Sequence, residues 1–180
     1  MSGLDQWLDP ILKVTLPILL REHGSNLLSV VRFGSTTQFI KYQTDVDMLL
    51  IFGSLPHRRK RHDVARTWED QTNEKLAQLK SCGFEMQVSP QLRTLHEAKH
   101  WSKIYLDMID HHSIVYDPLG VFSGILAQVD QWVQAHDAHR VVVNGLPVWR
   151  YSTEATGVCF VEPRIKGSTG STLKERAWGD

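Results

Sequence analysis

Asp45 and Asp47, two aspartates one residue apart, are the side chains whose spacing most directly suggests chemistry. On a β-strand, residues i and i+2 share a face, so these carboxylates project together from Cα atoms about 7 Å apart. Val46 and Met48 face the other way, and the run Met48 to Phe52 is apolar. Two like charges at the mouth of a buried strand are unfavourable unless something cationic lies between them. A hard divalent ion fits, since Mg²⁺ takes one or two carboxylates and completes its shell with substrate phosphates. Gly34-Ser35 precedes the pair by nine intervening residues. The glycine allows a sharp bend and a close approach to a ligand, while Ser35 and the N–H groups after it can donate to a phosphate. A phosphate cradle at one strand end beside a metal pair on the next strand describes phosphoryl or nucleotidyl transfer.

Phe33-Gly34-Ser35 followed by Asp45-Val46-Asp47-Met48 resembles the signature of the polymerase-beta-type nucleotidyltransferase superfamily. That signature is a hydrophobic residue, Gly, then Gly or Ser, a gap, and Asp-hydrophobic-Asp-hydrophobic. Further on, Leu106-Asp107-Met108 and Tyr116-Asp117 flank an apolar strand as in the small bacterial members called minimal nucleotidyltransferases. The resemblance spans Leu27 to Val133. It implies two Mg²⁺ ions (Mn²⁺ being the alternative) held by three carboxylates, and an NTP, most naturally ATP. It further implies attack by an acceptor hydroxyl on the α-phosphate, transfer of a nucleoside monophosphate, and release of pyrophosphate. Asp45 and Asp47 match the first two carboxylates; Gly34 and Ser35 match the nucleotide-binding turn. The acceptor stays open among a small molecule such as an aminoglycoside, an RNA end and a partner protein, because minimal members sometimes act as antitoxins that adenylylate a partner.

The third carboxylate belongs on a neighbouring strand in a hydrophobic-acid-hydrophobic setting, which Phe84-Glu85-Met86 supplies. Glu85 is therefore the expected third metal ligand and the group that polarises the acceptor hydroxyl. Gln87 lies on the same face, and if it holds that position the third ligand is missing, because an amide lacks the charge. Small relatives also carry Arg and then Gly shortly after Gly-Ser, where this chain has Thr36-Thr37-Gln38-Phe39; Lys41 or a downstream basic loop would have to replace that cation. Thr44 keeps the hydroxyl of the usual Ser. These departures leave a second expectation, a catalytically inactive nucleotide-binding or protein-interaction module, antitoxin-like, that retains the fold.

The elements that must position these residues follow from pattern. Leu27 to Phe33 and Asp45 to Phe52 read as strands, the second becoming continuously apolar as expected when both faces are covered. Asp9 to Glu22 reads as a helix capped by Asp9, with Pro10 in its first turn and Pro17 kinking or dividing it. Asp63 to Ser81 reads as a helix stopped by Gly83, and Phe84 to Ser89 as a strand closed by Pro90. A polar, helix-prone stretch follows to about Asp110, then the short strand Ser113 to Tyr116. Asp117-Pro118 heads the clearest amphipathic helix, with apolar residues from Val121 through Val133. Arg140 to Tyr151 and Val158 to Val161 look β-like. The expected fold is α/β: a small mixed sheet flanked by helices. One domain is expected over residues 1–166, its core at about 25–135, with 167–180 a flexible tail.

Composition agrees with this class. Twenty Lys and Arg balance twenty Asp and Glu, which argues against coating of nucleic acid or membrane by bulk charge. No apolar run approaches the length of a membrane span, and two cysteines cannot build a disulfide framework, so no membrane association and a cytoplasmic setting are expected. The run His57-Arg58-Arg59-Lys60-Arg61-His62 reads as a solvated loop, with contact to nucleic acid or a triphosphate as the alternative. His96 and His100 are four apart but lack the acid of a zinc-binding HExxH pattern, and the adjacent His111 and His112 point apart. Trp101, Trp132 and Trp149 read as packing residues.

Overall fold

The computed structural model describes residues 5–34, 43–143 and 146–151. Its centre is a four-stranded sheet of order β3-β2-β1-β4, built from β1 (Leu27–Phe33), β2 (Gln43–Phe52), β3 (Glu85–Thr94) and β4 (His112–Tyr116). β1 runs antiparallel to both β2 and β4, whereas β2 and β3 are parallel. Parallel neighbours need a crossover, and α2 (Arg66–Ala77), between two short 3₁₀ segments at Arg58–Asp63 and Gln78–Cys82, supplies it. The remaining helices are α1 (Asp5–His23), α3 (Leu95–Ala98), α4 (Ile104–Asp110) and α5 (Val121–Ala135). A separate hairpin of β5 (His139–Val143) and β6 (Leu146–Arg150) completes the described chain. The expected mixed sheet with flanking helices is the architecture found.

Strand β2 shows why the sheet is covered on both sides. Val46, Met48, Leu50 and Phe52 join one core with Leu8, Leu12 and Leu19 of α1 and Trp68 and Leu76 of α2. Leu49 and Ile51 join the other, with Tyr105 and Met108 of α4 and Phe122, Ile125 and Val129 of α5. By the same alternation, Asp45 and Asp47 start the face that Leu49 and Ile51 continue. The continuous apolar run is thus the signature of a central strand, and the carboxylates stand where helical cover ends.

Several local expectations are corrected. Helix α1 runs through both Pro10 and Pro17, and Asp9 is not its cap. Its carboxylate instead pairs with the buried Arg32 of β1 at 3.2 Å. Strand β3 continues through Pro90, which is tolerated because β3 is the edge strand of the sheet among the described residues. Asp117 lies four residues ahead of the start of α5, yet its carboxylate accepts from the N–H groups of Phe122 and Ser123 at 3.2 and 3.0 Å and so still serves the helix's orphan donors. Gly83 does stop the crossover, in the left-handed conformation. The Asn144-Gly145 turn, Val158 to Val161 and the 167–180 tail lie outside the described residues. No described helix is long and apolar enough to cross a membrane.

At the far end of β2 the basic run forms a 3₁₀ segment whose described side chains are mostly exposed, with Arg61 held. Arg61 donates through Nη1 to both carboxylate oxygens of Glu97, at 2.9 and 2.8 Å, and Glu97 closes a capping box with Thr94 at the head of α3. Burial alone would raise the Glu97 carboxyl, but hydrogen bonds from Arg61 and Thr94 and the guanidinium charge outweigh it and hold the pKa at about 2. A pKa lowered on folding adds stability that is complete above the ordinary value of 4.5 and is lost as pH falls from there through about 2. Glu97→Gln is therefore expected to lose about 1 kcal/mol at neutral pH, discounted for partial exposure. The difference from the parent should vanish toward pH 2, read from urea unfolding across that range.

Candidate active site

The two aspartates and the glycine bend meet at one rim of the sheet. Antiparallel pairing sets Phe33 opposite Asp47, so the chain leaves β1 at Gly34 directly beside that carboxylate. Gly34 has φ +82, and a Cβ there would run into Asp47 Oδ2. Glycine is thus required twice, for the left-handed turn and for room beside the acid. Ser35, expected to complete the turn, and Lys41 lie outside the described residues. Gly34→Ala should be destabilising by about 1–2 kcal/mol from backbone conformation alone, with an added loss from displacing Asp47. Gly83→Ala is the matched control, because Gly83 has φ +87 and nothing within 4 Å of its would-be Cβ. Chemical denaturation should show the larger loss at Gly34.

Burial and the neighbouring Asp45 charge together raise the Asp47 carboxyl above its ordinary value. Two acids that repel in a partly dry rim form a site that a cation relieves. The donors are hard oxygens, the type that suits Mg²⁺ or Mn²⁺.

The parallel register places the two candidates for the third position differently. Gln87, not Glu85, lies opposite Asp45, and its Nε2 donates to Asp45 Oδ1 at 3.2 Å. Glu85 sits one same-face step further out, opposite Gln43, exposed and bonded to Lys80 Nζ at 3.2 Å. Among the described residues no group of three or more His, Cys, Asp or Glu is placed to hold a metal ion. Of the expected trio, Asp45 and Asp47 share a face of β2, Gln87 bonds Asp45, and Glu85 lies one same-face step further out.

A cavity of about 340 Å³ opens beside Asp45. Asn73, Lys80, Glu85 and Gln87 give it a polar side; Ala77, Phe84 and Met86 give it an apolar one. Asn73, on α2, accepts from the Val88 N–H at 2.7 Å and so pins the crossover helix to β3. Neither Lys80 nor Asn73 stands out in the sequence; only the return of the crossover brings them to the acids. Among the described residues lining this cavity, Lys80 is the cation. The basic run, expected as a substitute phosphate donor, begins beyond Phe52 at the other end of β2, roughly 23 Å from Asp45 at the usual strand rise.

No protein-family model matches the chain, and no curated protein does. Solved structures are similar to it at low identity. A toxin–antitoxin complex with AMP-PNP aligns with TM-score 0.42 and 12% identity over 68% of this chain and 87% of that one. A tri-AMPylated Shewanella oneidensis HEPN toxin in complex with MNT antitoxin gives TM-score 0.41 and 9% identity over 71% and 87%. Spectinomycin adenyltransferase AAD(9) from Enterococcus faecialis, with ATP and spectinomycin, gives 0.45 and 10% over 62% of this chain and 57% of that chain. Likeness at these values decides no activity; the residues have to do so.

Proposed function

We propose that the Asp45–Asp47 rim is a nucleotidyltransferase site that binds an NTP, ATP in the first instance, and passes its nucleoside monophosphate to a hydroxyl acceptor. The observation that carries this reading is the seating of the Gly34 bend against the Asp47 carboxylate, with Asp45 beside it on the same strand face. Asp45 and Asp47 would hold Mg²⁺ or Mn²⁺, which when bound neutralises the triphosphate and acidifies the acceptor hydroxyl. The bend from Gly34 into Ser35 would receive the terminal phosphates through backbone N–H groups. In the transfer, the acceptor oxygen bonds to the α-phosphorus as the bond to the bridging oxygen breaks, and the electron pair leaves with pyrophosphate. The acceptor's proton goes to water or to Glu85, since the Gln87 amide cannot take it. The cavity bordered by Lys80 and Glu85 is the natural place for the acceptor.

One observation favours a second reading, a nucleotide-binding module without turnover. Gln87 occupies the position opposite Asp45 where a third carboxylate would add charge and basicity. The test is Gln87→Asp, assayed for pyrophosphate release from labelled ATP with Mg²⁺. The nucleotidyltransferase reading expects slow release by the parent and at least about tenfold faster release by the variant, within the usual range for a positioned acid–base group. Binding of ATP and Mg²⁺ with no release by either protein would establish the silent module instead.

A further inference from the structure

The end of the sheet opposite the carboxylates carries a second assembly that nucleotidyl transfer does not use. Residues 57–66 and 92–103 hold eight Lys and Arg against two acids, with four of the chain's nine histidines, in a protein whose total formal charge is zero. The fold brings the two segments together. Arg61, held by Glu97, shares an open cavity of about 650 Å³ with Leu92, Arg93, His96 and His100. Both local acids are already engaged, Glu97 by Arg61 and Asp63 by Arg66 at 2.9 Å. Arg59, Lys60, His62 and Lys103, on the same two segments, are exposed. Cations concentrated against a neutral total create a local field that attracts polyanions, which bulk composition conceals.

From this placement we infer that the basic end is a binding surface for the phosphate backbone of single-stranded nucleic acid. A lone phosphate needs only the cavity, whereas exposed cations on both segments, Arg59 and Lys60 on one and Lys103 on the other, offer contacts to more than one phosphate. The His96 and His100 rings, with centroids 4.7 Å apart, lie exposed at the cavity and offer flat faces for a base. None of the chain's exposed large hydrophobic residues among those described falls in these two segments, so an apolar membrane-inserting rim is absent there. Arg93 is fixed by Ser102 Oγ at 3.3 Å and by the Tyr105 ring at 5.7 Å, so part of the surface is preorganised. This inference does not depend on turnover at the other end.

The test is fluorescence anisotropy of the full chain with a fluorescein-labelled single-stranded RNA of about twelve nucleotides, within the site sizes such surfaces cover. The parent should bind at low salt. Arg59→Ala with Lys60→Ala should lower the slope of log K against log salt by about 1.4, roughly 0.7 for each lost phosphate contact. Arg59→Glu with Lys60→Glu should weaken binding at least tenfold with an unchanged thermal midpoint, since both side chains are exposed. Asp47→Asn should bind RNA like the parent, which separates this site from the carboxylate rim. No binding at low salt, binding indifferent to both double variants, or preferential capture of polyglutamate or phosphatidylserine vesicles over RNA would each overturn the inference.

Discussion

Asp47→Asn is expected to lower nucleotidyl transfer by at least about 10²-fold, because groups that merely support a metal ligand already contribute 10–100-fold, and Asp47 is read as a ligand itself. The fold should survive and even gain. Burial and the Asp45 charge disfavour the ionised Asp47 in the native state, and an isosteric amide removes that repulsion. A carboxyl raised on folding withholds stability as pH rises through its titration, so the gain of the variant should be largest above that range and disappear in acid. Loss of activity with a higher thermal midpoint at neutral pH separates a binding acid from a structural one. An unfolded variant, or one with unchanged pyrophosphate release, would remove Asp47 from the site.

The largest stability effect is expected at the other face of β1. Arg32 is only 1% exposed, and Asp9 pairs with it at 3.2 Å while also accepting from Ser113 Oγ at 3.4 Å. Asp9→Ala takes this counter-charge from a buried guanidinium, and breaking such pairs is destabilising by about 3–5 kcal/mol; Asp9 is itself 28% exposed, which favours the lower end. Adding Arg32→Met should recover most of the loss, because an apolar side chain of similar size needs no partner there. Guanidinium denaturation of the three variants checks this. A loss below about 1 kcal/mol for Asp9→Ala would mean the pair behaves like a surface ion pair.

Legibility in the sequence followed the kind of force involved. β1 and β2 could be read because β-branched and continuous apolar runs report burial directly, and with β2 came the shared face of Asp45 and Asp47. α5 was readable for the same reason, its apolar period being unbroken from Val121 to Trp132. What misled was local chemistry that tertiary context overrides. Asp9 followed by Pro10 has the form of a helix start, but a buried Arg32 drew the aspartate elsewhere. Pro90 has the form of a strand end, but an edge strand absorbs it. The third position of the site was undecidable beforehand because Glu85 and Gln87 share a face. The parallel register of β2 and β3, a long-range pairing, places Gln87 beside Asp45. The basic run was legible as composition, whereas its distance from the acids was not.

The central claim, that two carboxylates and a glycine bend make a divalent-dependent nucleotide site, is tested most directly by the thermal midpoint of the parent and of Asp47→Asn with ATP and Mg²⁺, added singly and together. Ligand that binds the native state raises the midpoint, by about 2.7 kcal/mol of stability at a hundredfold excess over its dissociation constant. A rise is expected in the parent only when both are present, and none in Asp47→Asn beyond its own baseline. An equal rise with ATP alone, or a rise that survives in the variant, would contradict it.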